Sequence, residues 1–431
     1  MALGRKLYSG SDFRRTLSIE ELRSIARRRV PHFAFEYVEC GAEDEVTLRW
    51  NRAVFETIRF VPNTLVDTSA RHQRTSLFGR ESSSPLIIAP TALNGMQHHR
   101  GDVALARAAA STGIPFTLST MSNVRLEELA AVAGGRLWMQ LYIMTDRAIA
   151  HDIIKRADHA GYEALVLTSD ANMFGYREWD RRNYRVPGKL TLRNLADVAC
   201  HPRWLLDVIV PHGVPRFENI AQFMPPEAQT ARGGVAYLPR LLTPNLTWDD
   251  IKWLRQEWPR KLILKGVLNV ADAQRAADLG CDGIVLTNHG GRQLDGCISP
   301  MEVLPEIARA VGDRIVVIVD SGFRRGTDVV KAIALGAHAV MVGSATLYGL
   351  AAGGEAGVVH ALSILSSEVD RVLGQLGCTS LAELGPHVLV QHRAHRECQG
   401  PNNDAIYLEG LKDLAILFSR RLNHARDFYL S

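Results

Sequence analysis

Gly283-Ile284-Val285-Leu286-Thr287-Asn288-His289-Gly290-Gly291-Arg292-Gln293-Leu294-Asp295 is the stretch that decides the fold. Its first four residues make a short apolar run of the kind that forms a fully buried strand, and the run stops at a polar loop with two adjacent glycines. That loop places a histidine and an arginine three residues apart. An imidazole titrates near neutral pH, and a guanidinium grips a carboxylate through two parallel hydrogen bonds, so the pair points to proton abstraction from a small organic acid. Taken alone, the loop is more simply a surface turn. The rest of the chain shifts the balance.

Runs of the same kind recur at residues 86–89, 115–118, 137–141, 164–167, 262–264, 315–319 and 339–342, which with 283–286 makes eight. Between them lie Ala/Leu/Arg-rich stretches of helical character, such as 102–111, 147–160, 270–279 and 328–335. Eight strands alternating with helices predict an α/β fold whose parallel sheet closes into a (β/α)8 TIM barrel. An open doubly wound sheet is the alternative, but no G-x-G-x-x-G follows the first run.

Three segments fall outside this count. Residues 1–75 are expected to form a helical N-terminal cap, with Ser18 as an N-cap and Glu20 and Glu21 in the first turn. The barrel is expected over 76–365, interrupted by an insertion at 181–249 that is far longer than an ordinary strand–helix connection. A lid, a partner surface or a peripheral membrane contact would each account for it. Its most apolar part, 204–210, reads as a short buried helix. Residues 366–431 are expected to form a C-terminal helical segment and tail, without legible chemistry after Gly385.

Composition excludes several classes of function. The 431 residues are 46% hydrophobic and 22% charged, an ordinary globular balance, and the net charge of +4 gives no case for nucleic acid. Cysteines at 40, 200, 281, 297, 378 and 398 show no C-x-x-C spacing, which argues against zinc and against a disulfide framework, and so for a reducing cytoplasm. Residues 1–15 lack the apolar core of a secretory signal, and no transmembrane span is expected because eighteen apolar residues never run together.

In a barrel of this kind the active site lies at the C-terminal ends of the strands. Those ends carry Pro90, Thr91 and Ala92; Ser119 and Met121; Gln140 and Tyr142; Thr168 and Asp170; Lys265; the opening motif; Asp320, Ser321, Gly322 and Arg324; and Gly343 and Ser344. Any one is an ordinary strand cap, but the set is polar or glycine-rich throughout. The seventh and eighth ends, where such barrels place phosphates, offer glycine N–H groups and a cation in Gly322, Gly343 and Arg324, and so imply a phosphorylated cofactor or substrate. Lys265 is either a Schiff-base lysine or a fixed charge beside an electron-rich ring.

These residues resemble the FMN-dependent 2-hydroxy acid oxidases and dehydrogenases, and the resemblance runs from about Phe13 to Gly385. It is carried by Pro90-Thr91-Ala92, Gln140-Leu141-Tyr142, Thr168-Ser169-Asp170, Lys265-Gly266, the 288–295 motif and Asp320-Ser321-Gly322-Phe323-Arg324-Arg325-Gly326, while Gly175-Tyr176-Arg177-Glu178 and His201-Pro202-Arg203-Trp204 are most similar to the (S)-mandelate dehydrogenase branch. The resemblance implies oxidation of an (S)-2-hydroxy acid, mandelate-like in bulk, to the 2-oxo acid. It implies His289 as base with Asp170 holding its imidazolium, and Arg177, Arg292, Tyr37 and Tyr142 around the substrate. It further implies Lys265 beside the flavin, Thr91, Ala92, Ser119, Gln140, Thr168 and Thr287 lining it, Asp320 on the ribityl chain, and Gly322, Arg324 and Gly343 at the phosphate, with Pro90, Ser321 and Ser344 alongside. Oxygen or a quinone as electron acceptor, a homotetramer, and a peripheral position at the inner face of the membrane also follow from the family.

The chain departs from the family's pattern in two places. Ser344 stands where members commonly carry arginine, which removes one phosphate cation and implies weaker FMN binding. Met121 replaces a tryptophan that lies over the substrate in glycolate oxidases, leaving space for a larger substituent. Ala92, in turn, resembles the oxidases where the mandelate dehydrogenases have glycine.

Overall fold

The computed structural model describes residues 7–391, apart from 187 and 212. Eight parallel strands close into a barrel: β1 (Leu86–Ile88), β2 (Pro115–Leu118), β3 (Arg136–Leu141), β4 (Ala164–Thr168), β5 (Lys261–Val267), β6 (Gly283–Leu286), β7 (Val316–Val319) and β8 (Ala339–Val342). All eight expected runs are strands of this barrel, within a residue or a few at their ends. Each is buried along nearly its whole length because helices cover the outer face and side chains fill the interior.

Two apolar clusters follow from the two-residue period of a strand. Ile87, Trp138, Val166, Ile263, Val285, Ile318 and Met341 belong to the cluster inside the barrel. Their neighbours Leu86, Leu137, Leu165, Leu264, Ile284, Val317 and Val340 belong to the larger cluster between barrel and helices. The short hairpin of Thr75–Leu77 and Arg80–Ser82 closes the N-terminal mouth: Leu77 joins the interior cluster, and Phe78 packs edge-on against Trp138 at 5.6 Å.

Ahead of the barrel come α1 (Ile19–Arg29), α2 (His32–Glu39) and α3 (Val46–Ala53). Ser18 caps α1 through a 3.3 Å bond from the Glu21 N–H. The long helix Ser344–Leu376 that follows β8 packs on α1, and it contains a break at Gly353 and Gly354. It is long and apolar enough to cross a membrane, but Leu350, Val358, Leu365 and Val369 are buried in the core. A domain boundary at 365 would therefore cut a buried helix, and contacts instead group the chain up to Val390 as one unit. Most of the tail after Gly385 lies outside the described residues.

The insertion contains a small two-stranded ribbon, Tyr184–Val186 and Lys189–Leu190, the helix Leu192–Ala199, and a helical run from Pro202 to Ile209 that widens to a π-turn after Trp204. That run corrects the expectation of a buried helix. Trp204 and Val208 are buried, but Leu206 and Val210 are exposed, because only one side of the run packs against the rest of the fold. Trp204 fixes that side, stacking edge-on with Phe33 at 5.9 Å and donating Nε1–H to the Met96 carbonyl at 2.8 Å.

Candidate active site

The strand period explains why the strand ends converge. Continuing inward-facing positions toward the C-terminal ends leads from Trp138 to Gln140, from Val166 to Thr168, from Ile263 to Lys265, from Val285 to Thr287, from Ile318 to Asp320 and from Met341 to Gly343. Parallel pairing levels several of them, since Lys265 is the register partner of Thr168 on one side and of Val285 on the other. A polar layer thus sits directly above the apolar plug of the barrel. Above it opens a cavity of about 1270 Å³ lined by Tyr37, Pro90, Thr91, Ala92, Ser119, Met121, Tyr142, Arg177, Lys265, His289, Arg292, Asp320, Ser321, Gly322, Arg324, Gly343 and Ser344.

His289 Nδ1 and Asp170 Oδ1 lie 3.1 Å apart. With Nδ1–H donating to the carboxylate, Nε2 is left carrying the lone pair. Burial pushes the imidazole below its ordinary pKa, which Asp170 opposes and Lys265 reinforces. Burial also works to raise the Asp170 carboxyl, but Lys265 and His289 outweigh it and hold the group below the usual carboxylate value. The resting pair is thus a neutral base beside an ionised carboxylate.

The loop is more strained than its glycines alone require. His289 itself has φ 59°, followed by Gly290 at 70° and Gly291 at 76°, and across the mouth Ser321 has φ 91°. Left-handed geometry costs a non-glycine residue about 1–2 kcal/mol, so it persists only where surroundings enforce it. Here Thr287 Oγ1 accepts from the His289 N–H at 2.9 Å, and Ser321 Oγ accepts from the Gly290 N–H at 3.0 Å. Gly291 is needed for a second reason, because a Cβ there would stand 2.5 Å from the Leu48 nitrogen in α3.

Arg292 is aimed by α2. Its Nη1 donates to the Cys40 carbonyl at 2.7 Å and its Nη2 to the Tyr37 carbonyl at 2.7 Å, both at the helix C-terminus, where the dipole favours a cation. A guanidinium has five N–H donors, so some remain for a carboxylate. Burial pushes the Tyr37 and Tyr142 phenols above their ordinary values, so both stay protonated donors.

Lys265, 3% exposed, faces Asp320 at 3.7 Å. Gln140, Thr168 and Thr287 do not line the cavity. Gln140 Nε2–H donates to Thr168 Oγ1 at 3.0 Å, while its Oε1 accepts from the Thr120 N–H at 3.1 Å and the Ser119 hydroxyl at 3.3 Å. Thr287 donates to Asp320 Oδ2 at 3.0 Å. At the eighth end Arg324 Nη1 donates to Ser344 Oγ at 2.5 Å and its Nη2 to the Tyr348 hydroxyl at 3.0 Å. The residue that departs from the family pattern therefore holds the cation that remains, at the N-terminus of the helix Ser344–Leu376.

Several residues at the site were not legible from sequence. Cys40 and Asp180 line the cavity, and Asp180 Oδ1 is buried without a hydrogen-bond partner while facing Arg177 and Arg292. Gln293 accepts from the Gly175 N–H at 2.6 Å, and Asp295 accepts from the Thr47 N–H at 2.8 Å and the Val46 N–H at 3.1 Å. The end of the motif therefore ties down the loop that carries Arg177 and the start of α3. The position of Asp180, three residues after Arg177, was the one signal available for it.

This arrangement is that of a flavin-dependent oxidoreductase, and the chain belongs to the FMN-dependent dehydrogenase family, whose model matches residues 26–391. Its cofactor is FMN. The chain is 45% identical over 373 residues to the (S)-mandelate dehydrogenase of Pseudomonas putida, covering 86% of this chain and 93% of that protein. It is 42% identical over 373 residues to an L-lactate oxidase of a Nostoc species, covering 85% and 96%. A crystal structure of (S)-mandelate dehydrogenase, described as a monotopic membrane protein, superposes with a TM-score of 0.84 at 44% identity over 88% of this chain and all of that one.

The residues present fit FMN. The cavity exceeds the roughly 300–1,000 Å³ typical of a single small-molecule site, and so has room for a cofactor and a substrate together. Thr91, on the cavity wall, has a buried Oγ1 without a partner, and Lys265 and Arg324 on the same wall are cations of the kind that suit a reduced ring and a phosphate.

Proposed function

We propose that the protein oxidises an (S)-2-hydroxy acid with an aromatic or similarly bulky side chain to the 2-oxo acid. The observation that carries this reading is a neutral histidine, braced by an ionised aspartate at 3.1 Å, sharing one cavity with Arg177 and Arg292. Arg292 and Arg177 hold the substrate carboxylate, and the protonated Tyr37 and Tyr142 donate to its carboxylate and hydroxyl oxygens. Held this way, the substrate presents its reacting carbon to His289, whose Nε2 accepts a proton and whose new charge is balanced by Asp170. Bound FMN would supply the acceptor for the two electrons and the second proton that leave the substrate. Lys265 would add a fixed positive charge where negative charge collects, and Arg324, Gly322 and Gly343 would hold the phosphate, with Asp320 on the ribityl chain. Met121, buried at the cavity wall, leaves room for a ring.

Anaerobic mixing of the yellow holoenzyme with (S)-mandelate, lactate and related acids tests the reading, followed by reoxidation with oxygen and, separately, with a quinone. Bleaching by the bulky acids is expected. A flavin that no 2-hydroxy acid reduces would sink the proposal.

The insertion supports a peripheral membrane contact. Leu192, Leu195, Leu206 and Val210 are exposed there, and Arg193 and Arg203 lie beside them, as suits a surface resting on anionic lipid. Flotation with anionic vesicles is expected to carry the protein, and replacing these four residues with serine is expected to release it. Recovery in the soluble fraction at every lipid concentration would refute this contact.

A further inference from the structure

The cavity has a polar end and an apolar arm. Lys265, His289, Arg292 and Arg324 mark the polar end at the strand ends, whereas Met121, Phe33, Trp204, Leu205, Ile209 and Phe217 continue the same cavity beneath the insertion. Among the described residues from 190 to 244, Thr230 contributes the one polar side chain of the lining. The Trp204 Nε1–H is already bonded to the Met96 carbonyl at 2.8 Å, and Thr230 Oγ1 donates to the Glu227 carbonyl at 3.3 Å and accepts from the Gly233 N–H at 3.0 Å, so the polar side-chain atoms of this stretch are already engaged within the protein. A ring-sized substrate would leave the arm in contact with water alone.

The arm also has an outlet. Val214 and Val235 line the cavity and yet are 62% and 36% exposed, so they stand at its rim. On the helical run that precedes Val214, Leu205 and Ile209 line the cavity while Leu206 and Val210 are exposed, so one segment presents an apolar lining inward and an apolar surface outward.

We propose that the arm binds the extended apolar chain of an amphiphilic 2-hydroxy acid, anchored by its carboxylate at Arg177 and Arg292 and entering from the lipid side. This rests on the reading of the site as a 2-hydroxy acid oxidoreductase and adds the length and origin of the substrate. Burying each further methylene is worth about 0.8 kcal/mol, which sets a ceiling of roughly fourfold in affinity per added carbon until the arm is full.

The test uses holoenzyme and a straight-chain series of 2-oxo acids, of about four to about fourteen carbons to span that gain, titrated by calorimetry. The matching (S)-2-hydroxy acids are followed by flavin reduction. Affinity is expected to rise two- to fourfold per methylene, with an increasingly negative heat capacity change. Leu205→Trp, which narrows the arm, is expected to cut the ratio of long-chain to short-chain affinity at least tenfold. Short acids that reduce the flavin while longer ones bind no tighter would overturn this proposal and leave the reaction class intact. Failure of every acid would instead remove the reaction class. A length dependence seen with quinone acceptors and not with the acids would also overturn it, by assigning the arm to the acceptor.

Discussion

Asp170→Asn isolates what the aspartate does for His289. The two groups are 3.1 Å apart. At an effective dielectric constant near 20, unit charges at that distance attract by about 5 kcal/mol, and this attraction exists only after the histidine has taken its proton. An asparagine amide keeps part of the interaction as a dipole and can impose the wrong tautomer, so we expect a net loss near 4 kcal/mol. Substrate-dependent flavin reduction should then slow roughly 10³-fold. Because Asp170 is the group that raises the His289 pKa against burial, its removal should also move the acid limb of the reduction profile to lower pH. Anaerobic stopped-flow mixing measures the rate, and a substrate titration separates it from binding, which should change little because the arginines are untouched. Flavin content and melting temperature check that the fold is intact. A rate within tenfold of the parent, with the flavin bound, would refute the bracing argument.

Four other outcomes follow. Flavin reduction should require neutral His289, so its acid limb should fall below the ordinary imidazole range; a midpoint at or above that range would contradict the burial-driven depression. Arg292→Lys should weaken substrate binding by about 2–3 kcal/mol, read by difference titration, because an ammonium cannot span the Tyr37 and Cys40 carbonyls and still offer a planar fork; tight binding would argue against the clamp. Ser344→Arg should tighten FMN about tenfold in apoprotein titrations while lowering the apoprotein melting temperature, since it faces Arg324 when no phosphate lies between them; unchanged affinity would place the phosphate elsewhere. Gly291→Ala should destabilise by roughly 2–4 kcal/mol, from positive φ and a clash with the Leu48 nitrogen, and a melt identical to the parent would count against the packing described.

Much of this protein is legible in its sequence. Short-range periodicity identified the eight strands and, through Ser18, the start of α1, because these depend on neighbours within a turn or a pleat. The chemical character of the strand ends pointed to a cofactor-bearing mouth, and the 288–295 motif to a base and an anion clamp. Tertiary structure alone decided the rest. The left-handed His289 depends on Ser321, Arg292 on carbonyls more than two hundred residues earlier, and Ser344 on Arg324, and no local pattern encodes such pairings. The run from Trp204 is apolar enough for a buried helix yet leaves Leu206 and Val210 exposed, because hydrophobicity reports that a residue can be covered, not which side the fold covers. Periodicity thus determined the elements, while barrel closure, which brings strands distant in sequence to one layer, decided which side chains meet.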